Sequence, residues 1–334
     1  MPLRICTIGC GGIANNCHGP SYTRYRDENP GTELAACCDL DGEKAAAYAV
    51  KFGFLRSYTD FAEMLNREKP GAVCVTVHEN HTAKVAAEVL KMGYPMFVEK
   101  PPGKDSGETR MLIYAANAAG VINQVGYNRR HMPILCALKD MINTAISSAH
   151  AARLQFIRYD FYRVARYDED FSDTAVHGVD AVRFIAGADY KKVRFTYQAL
   201  PEYGPGVQNI YLDCVMANGV HAQLSFCPVT GAVLERATVH AEGNTWMANT
   251  PIWAEGYDKP GELLHIQNGK TVRRISGAEL CPSDEVYMTN GFYNENKVFF
   301  DNVRAGRKCA DDLADALNTS LIKDCITQIA EQFG

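Results

Sequence analysis

The chain has 334 residues, 47% of them hydrophobic and 22% charged, with a formal net charge of −5 at pH 7. That length supports one large domain or two ordinary ones around a substantial core, and the mild acidity argues against nucleic acid as a partner. No apolar run reaches the ~18 residues of a membrane span, which excludes a transmembrane helix.

Leu3–Ile8 is predicted as an apolar strand running into Gly9-Cys10-Gly11-Gly12-Ile13-Ala14. This G-x-G-x-x-A turn suits a phosphate cradle. Gly9 permits the tight turn, Gly11 admits a pyrophosphate close to the backbone, and Ala14 lets the new helix pack on the strand. The free N–H groups of that helix then face the anion. A second strand, Glu33–Cys38, ends in Asp39, whose carboxylate is predicted to accept the adenosine ribose hydroxyls and to repel a 2′-phosphate. NAD is therefore expected in preference to NADP. The Gly11-to-Asp39 gap exceeds the usual ~20 residues, and a loop broken by Pro30 and Gly31 accounts for the excess. Asp41 is expected to cap the helix that ends at Gly53.

Further on, a helix over 61–68, a buried strand over 72–77, a helix over 81–92, a short strand over 96–98, a helix over 105–119 and a strand over 121–125 continue the alternation. Strand–helix alternation implies a doubly wound parallel sheet. Beyond it, the segments 154–164, 193–200, 210–217 and 220–227 alternate with period two, as antiparallel strands covered on one side do. Asn218-Gly219 marks a hairpin turn. One helix over about 174–185 interrupts these strands, and two helices close the chain. The last is predicted to bury a stripe of Leu313, Ala316, Leu317, Ser320, Leu321, Cys325, Gln328 and Ile329. The expected architecture is an α/β nucleotide-binding domain over 1–127 and an α+β domain over 128–334 with a large, mostly antiparallel open-faced sheet. The closing helices are allowed to pack back on the first domain. An open sheet face predicts a homodimer or homotetramer; a monomer in the analytical ultracentrifuge would contradict this.

None of the 12 cysteines forms a C-x-x-C pair, and Cys6, Cys37 and Cys74 fall in predicted buried strands, so free thiols are expected. With Met1-Pro2 leading into a strand rather than a signal peptide, this points to the cytoplasm. His78 and His81 are spaced H-x-x-H without further spaced ligands, so no metal is expected.

Ligands of an open parallel sheet sit beyond the carboxyl ends of its strands. Glu99-Lys100-Pro101 falls at such an end, where prolines stiffen the backbone and the Lys100–Pro101 bond is a candidate cis bond. The residues alone also fit a plain surface turn. In Asp173-x-x-x-His177-x-x-Asp180, Asp173 and His177 share one helix face. Asp173 then either orients the imidazole and substrate or caps the helix, with His177 a core residue.

Taken together, the glycine turn, Asp39, Thr76 with His81, Glu99-Lys100-Pro101, Gly126-Tyr127-Asn128-Arg129-Arg130 and Asp173-x-x-x-His177-x-x-Asp180 resemble the Gfo/Idh/MocA family of NAD(P)-dependent sugar and polyol oxidoreductases. The resemblance covers nearly the whole chain. It implies a Rossmann domain binding the dinucleotide through Gly9, Gly11, Gly12, Ile13, Asp39, Thr76, Val77, His81, Glu99, Lys100 and Asn128. It also implies catalysis by Lys100, Asp173 and His177. Lys100 would stabilise the oxyanion, Asp173 would hold substrate hydroxyls, and His177 would take the proton. One departure is the stretch Tyr167-Asp168-Glu169-Asp170-Phe171-Ser172, acidic and bulky where the family usually has glycines. Tyr162, Arg163, Arg166 and Tyr167 are candidate substrate contacts, each equally a solvated strand face. The expected activity is hydride transfer between a sugar or polyol carbon and nicotinamide. Two alternatives stand beside it: NAD-retaining glycoside cleavage through transient oxidation, and a non-catalytic sugar or dinucleotide sensor.

Overall fold

The computed structural model describes residues 2–147, 153–252 and 260–334. The chain divides into two compact units, Met1–Asn128 with Gly291–Ser320 and Arg129–Asn290 with Leu321–Gly334.

The first unit holds six strands: β1 (Leu3–Ile8), β2 (Thr32–Cys38), β3 (Arg56–Tyr58), β4 (Ala72–Val75), β5 (Met96–Glu99) and β6 (Asn123–Gly126). All pair in parallel in the order β3-β2-β1-β4-β5-β6. The order reverses between β1 and β4, which opens a crevice at their carboxyl ends. All four residues of β4 are buried, as a strand covered on both faces requires. Short-range chemistry sets the helix ends. Asp41, Asp60 and Asp105 accept backbone N–H groups at the starts of the helices Gly42–Phe52, Phe61–Glu68 and Ser106–Ala119. Gly53 and Gly120 end two of these helices in the left-handed conformation. β3 is absent from the sequence expectation: three residues, two of them exposed, carry no periodic signal. His78 caps the helix Glu79–Lys91, and His81 lies exposed on its first turn.

The second unit is built on β7 (Leu154–Tyr162), β8 (Tyr190–Ala199), β9 (Gln208–Met216), β10 (His221–Cys227), β11 (Leu234–Ala241), β12 (Asn244–Asn249), β13 (Glu262–Gln267), β14 (Lys270–Ser276) and β15 (Gln332–Phe333). Their order is β14-β13-β12-β11-β7-β10-β9-β8-β15. β7 and β10 pair in parallel, while the other pairings of this sheet among the described residues are antiparallel. β9 and β10 form the hairpin expected at Asn218-Gly219. One face carries the core. Tyr159, Phe161 and Phe226 from the sheet share one buried cluster with Val179, Val182 and Ile185 of the helix Ser172–Ala186. Gly178 makes this approach possible: a Cβ there would stand 2.7 Å from the Phe226 ring. β11 to β14 are absent from the sequence expectation: β14 is exposed at five of its seven positions, β12 and β13 bury only two and one of their six, and β11 spends one of its buried positions on Glu235.

The closing helix, Leu313–Thr327, buries Leu313, Ala316, Thr319, Ser320, Ile322, Lys323 and Ile326. The buried face is rotated from the expected stripe, and Gln328 and Ile329 are exposed beyond the helix end. Lys323, outside the expected stripe, tolerates burial because it pairs with Asp173.

Among the described residues no helix is long and apolar enough to cross a membrane.

Candidate active site

In the first unit the glycine turn is pressed against the end of β4. Gly9 has φ +99°, and a Cβ on it would stand 2.6 Å from the Thr76 carbonyl oxygen. The Thr76 hydroxyl donates to the Gly9 carbonyl at 2.9 Å, tying the two strand ends together. Beyond them a Cβ on Gly11 or Gly12 would meet nothing within 4 Å. This open space before a helix N-terminus is the cradle a pyrophosphate needs. The helix runs through a π turn, Ala14–His18, before continuing as Gly19–Glu28. Asp39 stands beside the turn, with Oδ2 accepting the Cys10 N–H at 2.9 Å and Oδ1 accepting the Asp41 N–H at 3.0 Å. Asp41 caps its helix, and the backbone N–H groups of Lys44 and Glu43 hold its carboxyl below the usual carboxylate range. Val77 is half-buried and Asn128 buried. The residues present therefore fit a dinucleotide.

Lys100 leaves β5 through a cis bond to Pro101. Glu99 before it is buried and is gripped from two sides. Its Oε2 accepts the Lys100 N–H at 2.9 Å, and its Oε1 lies 2.7 Å from His18 Nε2. Asn296 Nδ2 donates to the Phe292 carbonyl and sits 3.0 Å from His18 Nδ1. His18 Nδ1 is thus the acceptor, and Nε2–H faces Glu99. Glu295 joins this buried cluster; ligand-type atoms of His18, Glu99 and Glu295 lie within 4.8 Å of one another. Both ring nitrogens of His18 are engaged by side chains, so the group is a hydrogen-bonded support for the Lys100 backbone. The sequence reading missed His18, Glu295 and Asn296, since no local pattern marks a histidine whose partners are 81 and 278 residues away.

In the second unit Asp173 lies in the first turn of the helix Ser172–Ala186, where an acidic group complements the helix dipole. Phe171, not Asp173, occupies the capping position. Asp173 Oδ1 pairs with Lys323 Nζ at 3.0 Å. His177, one turn on, is half-buried. Asp180 is fully buried and takes Arg130 Nε at 2.7 Å.

The candidate substrate contacts have partners of their own. Tyr162 donates to Asp160 at 3.0 Å. Arg163 is 8% exposed, pairs with Glu235 and lies over the Phe161 ring. Arg166 makes a two-bond fork with Asp168 and reaches the Thr174 hydroxyl. Tyr167 is exposed and stacks on Tyr203. Glu235, which no motif flagged, is the hub of this region and also binds Arg129 at 2.7 Å and the Tyr159 hydroxyl at 3.1 Å. Burial pushes its carboxyl up, but the Arg129 and Arg163 guanidinium groups outweigh this and hold it at about 2.

Residues 3–127 match the model of the GFO_IDH_MocA oxidoreductase family, NAD-binding Rossmann fold. The match covers the nucleotide-binding part of the chain and identifies it as similar to that family. Inositol 2-dehydrogenase of Ralstonia nicotianae is 28% identical to it over 207 residues, 59% of this chain and 58% of the relative. D-apiose dehydrogenase of Paraburkholderia graminis is 28% identical over 187 residues, 54% of this chain and 48% of the relative. The chain thus spans about half the length of these relatives. A solved levoglucosan dehydrogenase in complex with NADH superimposes with a TM-score of 0.80 at 18% identity, covering 99% of this chain and 97% of that one. This last likeness shows a shared fold.

Proposed function

We propose that this chain is a member of the Gfo/Idh/MocA family and an NAD-dependent dehydrogenase acting on a secondary hydroxyl of a sugar or polyol. The open cradle at Gly11 and Gly12, with Asp39 fixed beside it, carries the reading. The names of the curated relatives, an inositol and an apiose dehydrogenase, support the substrate class. When bound, NAD supplies the hydride acceptor. The ammonium of Lys100 hydrogen-bonds the reacting hydroxyl oxygen and stabilises the alkoxide as negative charge develops there. His177 accepts the hydroxyl proton at its imidazole, and Asp173 orients the neighbouring hydroxyls. The C–H and O–H bonds break, a C=O bond forms, and the proton remains on His177 until solvent removes it. Glu99, held by His18, sets the backbone from which Lys100 extends.

The direct test assays myo-inositol, apiose, levoglucosan and sugar acids with NAD, following NADH absorbance. Turnover of at least one sugar or polyol is expected, and none across the panel would overturn the reading.

Asp39 should decide between the two nicotinamide dinucleotides. Asp39→Ala removes a charged acceptor of the ribose hydroxyls, a contact of about 1.5–3 kcal/mol. It also frees the Cys10 N–H, a loss that both cofactors share. The ratio of dissociation constants is therefore the informative quantity. Fluorescence titration should show NAD weakened at least ~10-fold more than NADP, and an unchanged ratio would remove the assigned preference.

A further inference from the structure

The acidic stretch before the Asp173 helix is fastened, and one face of the closing helix does the fastening. Lys323 and Thr327 are one turn apart on that helix. Lys323 Nζ meets Asp173 Oδ1 at 3.0 Å, with the lysine side chain 5% exposed and the aspartate side chain 41% exposed. The Thr327 hydroxyl donates to Asp170 Oδ2 at 3.1 Å and lies 2.8 Å from the Ser172 hydroxyl, which donates to it. The Ser172 N–H closes the ring on Asp170 Oδ1 at 2.8 Å. Arg166, through Asp168 and Thr174, holds the other end of the stretch.

We propose that Lys323 is a positioning residue of the reaction: it holds the Asp173 carboxylate in the place from which it takes substrate hydroxyls. This rests on the assignment of Asp173 to substrate binding made above. The physical ground is the unequal burial of the two ends of the pair. A buried ammonium requires a paired anion, and removing its partner is costly, so the lysine end of the pair is anchored. Pinning one oxygen before substrate arrives removes the rotamer freedom that binding would otherwise have to freeze.

Lys323→Met keeps the apolar stem and deletes the charge, Lys323→Arg keeps the charge, and Asp173→Asn removes the partner. With the panel substrate of highest kcat/KM, Lys323→Met should lose at least ~10-fold in kcat/KM, carried mainly by KM. NADH affinity should stay unchanged, and Lys323→Arg should recover most of the loss. The double variant Asp173→Asn/Lys323→Met should lose no more than Asp173→Asn alone. Amide exchange over 168–174 should quicken in Lys323→Met while 176–186 stays protected, a reading that requires no substrate. Should Lys323→Met not fold, the same kinetic and exchange measurements on Lys323→Gln replace it. Wild-type kcat/KM with unchanged exchange, or additive losses in the double variant, would overturn the role. The reading of the site fails separately: activity surviving in both Lys100→Ala and Asp173→Asn sinks the roles assigned to those two residues, whereas their loss beside an unaffected Lys323→Met sinks the lysine's role alone.

Discussion

Lys100→Ala is expected to cut turnover by at least ~10²-fold, the scale seen when one oxyanion donor is removed. The loss should fall on kcat, because the ammonium does its main work as charge gathers on the oxygen, and an interaction made mostly in the transition state leaves ground-state binding nearly intact. NADH affinity should change little, since the phosphate cradle and Asp39 belong to the other strand ends, β1, β2 and β4. The backbone at Lys100 should survive the change. Glu99, not the lysine side chain, receives the Lys100 N–H and the His18 imidazole. Steady-state rates on the best panel substrate, with NADH titration alongside, check both halves. Near-wild-type kcat would remove Lys100 from the chemistry.

Glu235→Ala should have the largest effect on stability. It strips the shared partner from Arg129 and Arg163 and leaves two buried guanidinium groups facing one another. Removing one member of a buried ion pair costs about 3–5 kcal/mol, which lowers the melting temperature of a unit this size by roughly 10 °C. The pH dependence has a definite sign. The Glu235 carboxyl is held at about 2, below its ordinary value of 4.5. A depressed carboxyl stabilises the fold above its unfolded value and gives up that contribution as the pH falls toward the folded one. The melting-temperature gap between wild type and Glu235→Gln should therefore be widest above about pH 5 and close as the pH falls toward 2. Glu68 in the first unit is also held at about 2, first by Arg56, so only the difference between the two proteins isolates Glu235. A gap that is constant from pH 6 to 3 would show that Glu235 is not the group being titrated.

Much of the first unit was legible because its determinants are local. Gly9, Asp41, Gly53 and the apolar run of β4 each act through the backbone within a few residues, and each performs the expected turn, cap or buried strand. The motif residues could be named for the same reason, since Glu-Lys-Pro and Asp-x-x-x-His are short patterns. Their surroundings could not. Arg163 and Arg166 read as candidate substrate contacts, yet a guanidinium takes whichever carboxylate the fold brings near, here Glu235 and Asp168. The acidic stretch read as bulky, and nothing in it announced that Thr327 would fasten it.

The sequence by itself determined the strand–turn–helix cradle, the carboxylate at the tip of β2 and the order of parallel and then alternating strands, because periodicity and capping are properties of neighbouring residues. Only the tertiary structure decided that His18 grips Glu99, that Glu235 gathers two arginines, and that Lys323 meets Asp173. Each of these joins charges or polar atoms far apart in the chain. Such groups can be buried only when folding delivers a partner, and no window of sequence contains both halves of the pair.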